Sequence, residues 1–177
     1  MVIQVNKSIK LTPIFKKDKN QLIERINHPE IANNTLTIPY PYKKEDAEWF
    51  FGHLAQKKKE HPDQIFTWAI RHSDDGLIGS IGLVGGVALG NPNRDAFGYW
   101  LWEKYWRQGI MTQVVKKFSE YCFHERGLVR LEASVFEHNK GSIGVLKKAG
   151  FEQEGYLKKA FYKNEAYLNA YLFAKTN

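Results

Sequence analysis

Arg107-Gln108-Gly109-Ile110-Met111-Thr112 is the segment of this sequence best equipped for chemistry. It follows an aromatic run containing Trp100, Leu101 and Trp102 and leads into an amphipathic stretch, so a strand should end and a helix begin there. The first turn of a helix carries N–H groups with no intrahelical partner and a partial positive charge, which makes it a cradle for a phosphate. Gly109 lets a ligand approach the backbone closely, and Arg107 and Thr112 can add side-chain donors. The segment has neither the Gly-Lys-Ser/Thr ending of a nucleotide-hydrolysing loop nor a full G-x-G-x-x-G, so neither nucleotide hydrolysis nor a dinucleotide-binding fold is indicated. Taken alone it reads equally well as a plain strand-to-helix turn. The six histidines show no metal-ligand spacing with the one cysteine, so no metal site is expected. Trp100, Trp102 and Trp106 read as core packing and as a wall for a bound molecule, because no RNA-binding signature accompanies them.

The elements that must position this segment follow from hydrophobic periodicity. Alternation over Ile3 to Phe15 suggests a first strand, and Lys17 to Ile26 a short helix. Thr35 to Tyr42, with Pro39 and Pro41, reads as an extended loop. Lys44 to Lys59 places Ala47, Phe50, Phe51 and Leu54 on one helical face. Ile65–His72 and Leu77–Val84 are strands joined by Ser73-Asp74-Asp75-Gly76, a hairpin signal. Gly85-Gly86 and Gly90 suggest a second hairpin loop before a strand over Arg94–Trp102. A helix then runs from Gly109 to about Arg126, with Gly127 as its stop. Val129–Phe136 reads as a strand, Ser142–Ala149 as a helix ended by Gly150, and Phe151–Phe161 with Ala166–Ala174 as a closing strand pair. The order is that of one α+β domain over residues 1–177, a mixed and mostly antiparallel sheet flanked by helices.

Length and composition agree with this. The chain has 177 residues, 43% of them hydrophobic, which allows a sizeable core. A single cysteine, Cys122, excludes an intramolecular disulfide and sits at helical spacing from Val114 and Phe118, as a buried hydrophobe would. No signal-peptide apolar region opens the sequence, and no apolar stretch approaches a membrane-spanning length, so a cytoplasmic protein without a membrane partner is expected. The formal net charge of +7 asks for an anionic partner. The lysines come as scattered pairs on the polar sides of expected helices, which is the pattern of a solvated surface and argues against a nucleic-acid arm.

A second constellation narrows the reading. Asn139-Lys140-Gly141-Ser142 precedes Val145-Leu146-Lys147-Lys148-Ala149-Gly150-Phe151, and with the Arg107–Thr112 loop the chain resembles the GNAT superfamily of acetyl-CoA-dependent N-acyltransferases. Thr37 to Tyr42, the helix at Asp46 to Phe50, Gly98-Tyr99-Trp100-Leu101 and Gly150-Phe151-Glu152 resemble its ribosomal-protein N-acetyltransferase branch, the RimJ/RimL-like one. The resemblance implies acetyl-CoA as co-substrate. It puts the pyrophosphate at Arg107, Gln108, Gly109, Ile110, Met111 and Thr112, the pantetheine arm at Asn139 and Ser142, and the thioester oxygen at backbone N–H groups of Leu101 and Trp102. Lys147 and Lys148 are candidates for the 3′-phosphate.

The sequence departs from that pattern at informative positions. Trp106 and Met111 stand where the family's loop often has Arg or Gln and a small residue. Leu146 stands where many members carry a tyrosine acid, and Ala96 where this branch often has a glutamate. Acyl transfer needs a neutral amine, a donor for the oxyanion and a tolerated thiolate. Glu132 is the candidate base, directly or through water, with an ion-paired strand residue as its alternative role. Ser142 is the candidate partner of the thiolate, with a helix N-cap as its alternative. The expected activity is transfer of acetyl to a primary amine, a protein N-terminus or a small molecule, by direct attack in a ternary complex. Tyr40, Tyr42 and Trp49 would line the acceptor site. Two other classes remain open from sequence, a CoA-binding regulator without turnover and a basic RNA- or ribosome-binding module. Monomer and homodimer are equally compatible with the sequence.

Overall fold

A computed structural model describes residues 1–85 and 91–177, so the glycine turn expected at Gly86 and Gly90 lies outside the described residues. The chain divides into two compact units, Met1–Leu83 with Tyr99–Gln108, and Val84–Gly98 with Gly109–Asn177. The first contains strands β1 (Ile3–Gln4), β2 (Ile9–Pro13), β3 (Thr67–His72) and β4 (Gly76–Leu83), each antiparallel to the one before. The next strand, β5 (Arg94–Leu101), gives its last residues to this unit and its first residues to the other.

The expected first strand is in fact β1 and β2, because Asn6 breaks it. The Asn6 side-chain oxygen accepts from the N–H groups of Ser8 and Ile9, both at 2.9 Å, and this local bonding competes with the ladder. The first helix begins as a 3₁₀ turn at Lys16–Asp18 and continues as α1 (Lys19–Ile26). A short helix α2 (Pro29–Asn33) follows, too brief to show periodicity, with Pro29 in its first turn and His28 Nδ1 accepting from Glu30 N–H at 3.2 Å. Helix α3 (Lys44–Glu60) is where its pattern places it. Leu22, Ile26, Ile31, Tyr42, Ala47, Ala69, Leu77 and Trp100 form the apolar cluster of this unit, with Phe50 and Phe51 packed against it. Arg25 is buried beside them, and its Nη1 is satisfied by the carbonyl oxygens of Asp75 and Leu77.

In the second unit, helix α4 (Ile110–His124), strand β6 (Arg130–Phe136), helix α5 (Lys140–Lys148) and strands β7 (Glu152–Lys163) and β8 (Ala166–Thr176) follow in order. Strand β6 runs parallel to β5 and antiparallel to β8, and β7 is antiparallel to β8. The fold is therefore α+β with mixed, mostly antiparallel strands, as the sequence implies. Val114, Val115, Phe118 and Cys122 form the buried face of α4, and burial pushes the Cys122 thiol up to about 12. Phe97 packs on Phe118 and Phe151, with ring centroids 6.0 and 5.4 Å apart.

One close approach fixes β4 against the end of β5. A Cβ on Gly79 would lie 3.1 Å from Leu101 Cα and would collide with the Trp100 carbonyl oxygen, so only glycine fits. Gly98, by contrast, has nothing within 4 Å of such a Cβ. We expect Gly79→Ala to cost about 1–3 kcal/mol, read in thermal melts as a Tm lower by roughly 3–10 °C. Gly98→Ala should stay within about 0.5 kcal/mol of the native protein.

Candidate functional site

Strand β5 directs its two edges to different partners. Val84 N–H donates to the Ala96 carbonyl and Trp102 N–H to the Ile78 carbonyl, both at 2.8 Å. Backbone groups of an antiparallel ladder alternate between edges, so Ala96, Gly98, Trp100 and Trp102 address β4. Phe97, Tyr99 and Leu101 address the opposite edge. There the parallel register with β6 covers Arg94↔Arg130, Asp95↔Leu131 and Ala96↔Glu132. Leu101 N–H therefore faces an edge beyond the last register pair. Of the two backbone donors expected from sequence, Trp102 is the one to correct. Its N–H is already committed to Ile78, a displacement of one residue having put it on the other edge.

The chain then passes through a 3₁₀ turn at Glu103–Tyr105 into the Arg107–Thr112 loop. Lys104 Nζ bonds Asp75 Oδ2 at 2.5 Å and the Tyr105 hydroxyl donates to the same oxygen, which anchors the turn. The lysine hydrogen bond, and then the tyrosine's, hold the Asp75 carboxyl below its usual range. Arg107 and Gly109 both take left-handed backbone, with φ of 61° and 73°. Gly109 is the N-cap of α4, and a Cβ there would meet nothing within 4 Å, so the space over the helix end is open. Arg107, Gln108 and Gly109 are exposed, whereas the side chains of Ile110 and Met111 are buried, so the latter two offer only backbone N–H groups. The N–H groups of Ile110, Met111 and Thr112 belong to the first turn and precede any intrahelical acceptor. Gln108 turns its side chain back to the Lys104 carbonyl at 2.9 Å. Such an arrangement is chemically able to take an anion, mainly through backbone N–H groups.

Helix α5 starts earlier than its sequence suggests. Asn139, not Ser142, is the N-cap, with its side-chain oxygen accepting from Ser142 N–H at 3.0 Å. Ser142 thus lies within the first turn. Leu146 is fully buried, and Lys147 and Lys148 are exposed in the last turn.

Glu132 is buried on β6 in an ionic chain. Its Oε2 meets Arg94 Nη2 at 3.2 Å and its Oε1 meets Arg130 Nε at 2.6 Å, while Arg130 also pairs with Glu154. The hydrogen bonds that Arg130 donates to Glu154 and then to Glu132 push its pKa further up, and Arg130 holds the Glu154 carboxyl below its usual range. Both carboxylate oxygens of Glu132 are thus occupied by guanidinium groups, the arrangement of a scaffold ion pair. Ala96 is its register partner on β5.

The expected acceptor residues separate. Tyr40 and Trp49 are exposed, Trp49 stacking on His53 with ring centroids 5.5 Å apart. Tyr42 is a core residue instead. Asn27 pins its backbone through two hydrogen bonds, and burial, followed by the charge of Asp46, pushes its hydroxyl up to about 12. Two features escaped the sequence reading. The Trp106 indole N–H donates to the Leu101 carbonyl at 2.7 Å. At the end of β6, Glu137 accepts from the Tyr156 hydroxyl at 2.5 Å and from Asn169 at 3.1 Å, a pairing that depends on strand register and leaves no motif.

Among the described residues, no group of three or more His, Cys, Asp or Glu is placed to hold a metal ion, and no helix is long and apolar enough to cross a membrane. Residues 8–152 match the family described as acetyltransferase (GNAT) domain. The probable N-acetyltransferase YjcK of Bacillus subtilis is 41% identical over 100 residues, 56% of this chain and 52% of the relative, so the match spans about half of that protein's length. The L-amino acid N-acetyltransferase AaaT of Escherichia coli is 26% identical over 150 residues, 83% of this chain and 85% of the relative. Among solved structures, RimL, a ribosomal L7/L12 alpha-N-protein acetyltransferase in complex with coenzyme A, superposes with a TM-score of 0.85 at 18% identity. It covers 99% of this chain and 98% of that one.

The ionic chain generates a stability prediction. Glu132→Gln keeps the shape of the side chain but takes its carboxylate from Arg94 and leaves Arg130 with Glu154 alone, at a cost of about 1–3 kcal/mol. Thermal melts should show a correspondingly lower Tm, and an unchanged Tm would mean that the chain of ion pairs contributes nothing.

Proposed function

The chain belongs to the GNAT acetyltransferase family, and we propose that it transfers acetyl from acetyl-CoA to a primary α-amine by direct attack in a ternary complex. The observation that carries this reading is the layout of one continuous stretch, Trp100 to Thr112. At one end it holds a backbone N–H, that of Leu101, turned away from β4. At the other it holds the uncapped first turn of α4 behind a left-handed glycine.

The residues fit the co-substrate. The N–H groups of Ile110, Met111 and Thr112, with the Arg107 side chain and the exposed backbone of Gln108 and Gly109, would receive the diphosphate. Asn139 and Ser142 would hold the pantetheine arm, and Leu101 N–H would receive the thioester oxygen. Acetyl-CoA supplies an electrophilic carbonyl and a thiol leaving group. The protein supplies position, which lowers a bimolecular barrier by roughly 7–11 kcal/mol.

The ion pairing of Glu132 supports one acceptor class. Both its oxygens are engaged by Arg94 and Arg130, which leaves neither free to meet an incoming amine. The amine must then arrive neutral. The α-amine of a peptide N-terminus, with an ordinary pKa of about 7.7–8.0, does so readily near neutral pH, whereas a lysine ε-amine at about 10.4 is almost wholly charged. The named activities of AaaT and RimL, on L-amino acids and on a protein N-terminus, support an α-amine. Tyr40 and Trp49, both exposed, are the side chains proposed to meet it.

Isothermal titration with acetyl-CoA, combined with thiol release over free amino acids, N-terminal peptides and Nα-blocked lysine, tests this. We expect binding, and release with α-amines but not with the blocked lysine. Gly109→Ala should relax out of the left-handed φ when free and return to it on binding at a cost of about 1–2 kcal/mol, which weakens acetyl-CoA binding by about fivefold to thirtyfold. Binding with no release for any acceptor would favour a CoA-binding regulator, the reading to which Leu146 and Ala96 point. Absence of binding would overturn both.

A further inference from the structure

The peptide group joining Leu101 to Trp102 is held at both ends. Its N–H donates to the Ile78 carbonyl at 2.8 Å, and its carbonyl oxygen accepts from the Trp106 indole N–H at 2.7 Å. Trp106 is itself fixed. Its ring packs against the apolar cluster that includes Trp100 and Leu77, and the His28 ring meets it edge-on at a centroid distance of 5.2 Å. The indole is half-buried, so its hydrogen bond is sheltered from competing water.

That bond does something no ladder can do. The Leu101 carbonyl faces the edge of β5 away from β4, where the register with β6 has ended at Ala96↔Glu132. Without Trp106 the oxygen would have no strand partner, and the last peptide of β5 would be free to tilt. The neighbouring peptide carries Leu101 N–H and shares the Leu101 Cα, so a tilt of one re-aims the other.

We propose that Trp106 is a positioning residue for acetyl transfer: its indole N–H fixes the Leu101 peptide and thereby aims the Leu101 N–H at the thioester oxygen. This rests on the reading of Leu101 as the thioester donor. Trp106 holds the reacting end, whereas the Arg107–Thr112 backbone holds the diphosphate end. Removing the indole N–H therefore lowers turnover and leaves cofactor affinity nearly intact.

Trp106→Phe keeps an aromatic ring in the cluster and deletes the donor, and Trp106→Gln returns a donor on a shorter side chain. We expect kcat to fall by about tenfold to a hundredfold in Trp106→Phe, the scale of a misaimed reacting group. The KM for acetyl-CoA and its Kd by titration should stay within about threefold, and Trp106→Gln should recover part of the lost kcat. A second readout needs no turnover. In the unliganded protein, hydrogen exchange at Trp102 N–H should accelerate by about tenfold or more in Trp106→Phe, with exchange along β3 unchanged. Unaltered Trp102 exchange would overturn the pinning of the peptide even if the wild-type protein turned over nothing. Accelerated exchange with unaltered kcat would overturn the role in transfer. Loss of acetyl-CoA binding in parallel with kcat would identify a packing role instead, as would a Trp106→Phe protein that fails to fold while Trp106→Gln folds without regaining kcat.

Discussion

A β-strand can offer each backbone group to one edge only, and the site depends on how β5 divides its groups. Trp100 and Trp102 are committed to β4, the second of these through its bond to Ile78, and Gly79 permits the close approach that this pairing requires. The alternate residues face an edge where the parallel ladder with β6 stops after Ala96. A buried donor without a ladder partner is costly in a finished protein. It is useful where a ligand carbonyl is to be bound. The loop that follows repeats the principle at larger scale, since the first turn of α4 also presents N–H groups that no carbonyl of the chain is obliged to satisfy.

Much of this was legible because it is local and periodic. Helix α3 shows its apolar face at three- and four-residue spacing, the β3–β4 hairpin announces itself by Asp75-Gly76, and Gly109 marks the start of α4 by residue type alone. What was not legible depends on partners remote in sequence or on a single side chain. Asn6 splits the first strand by bonding two N–H groups, and Asn139 moves a helix start by reaching the N–H of Ser142. Tyr42 looks like a loop aromatic until Asn27 draws its backbone against the core. The one-residue difference between Leu101 and Trp102 is invisible without register, because a strand pattern carries no information about which edge an N–H addresses.

Charge takes on a narrower meaning in the same light. Most of the paired lysines are exposed, as at Lys43-Lys44, Lys116-Lys117 and Lys158-Lys159, and such groups contribute little to stability. The arginines do the internal work. Arg71 pairs with Asp18 at 2.7 Å, Arg25 serves two carbonyl groups, and Arg94 and Arg130 enclose Glu132. A planar guanidinium with several donors suits these partly buried positions better than an ammonium group does. The carboxylate that looked most available for proton transfer is thus held between two guanidinium groups.

The most direct measurement is amide hydrogen exchange at Leu101 and Trp102 with and without acetyl-CoA. Saturating acetyl-CoA should slow exchange at Leu101 N–H by about tenfold or more, as a newly formed hydrogen bond does. Trp102 N–H, already bonded to Ile78, should change little by comparison. Protection confined to Trp102, or none at Leu101 under conditions where titration shows the site filled, would contradict the division of edges on which the site is built.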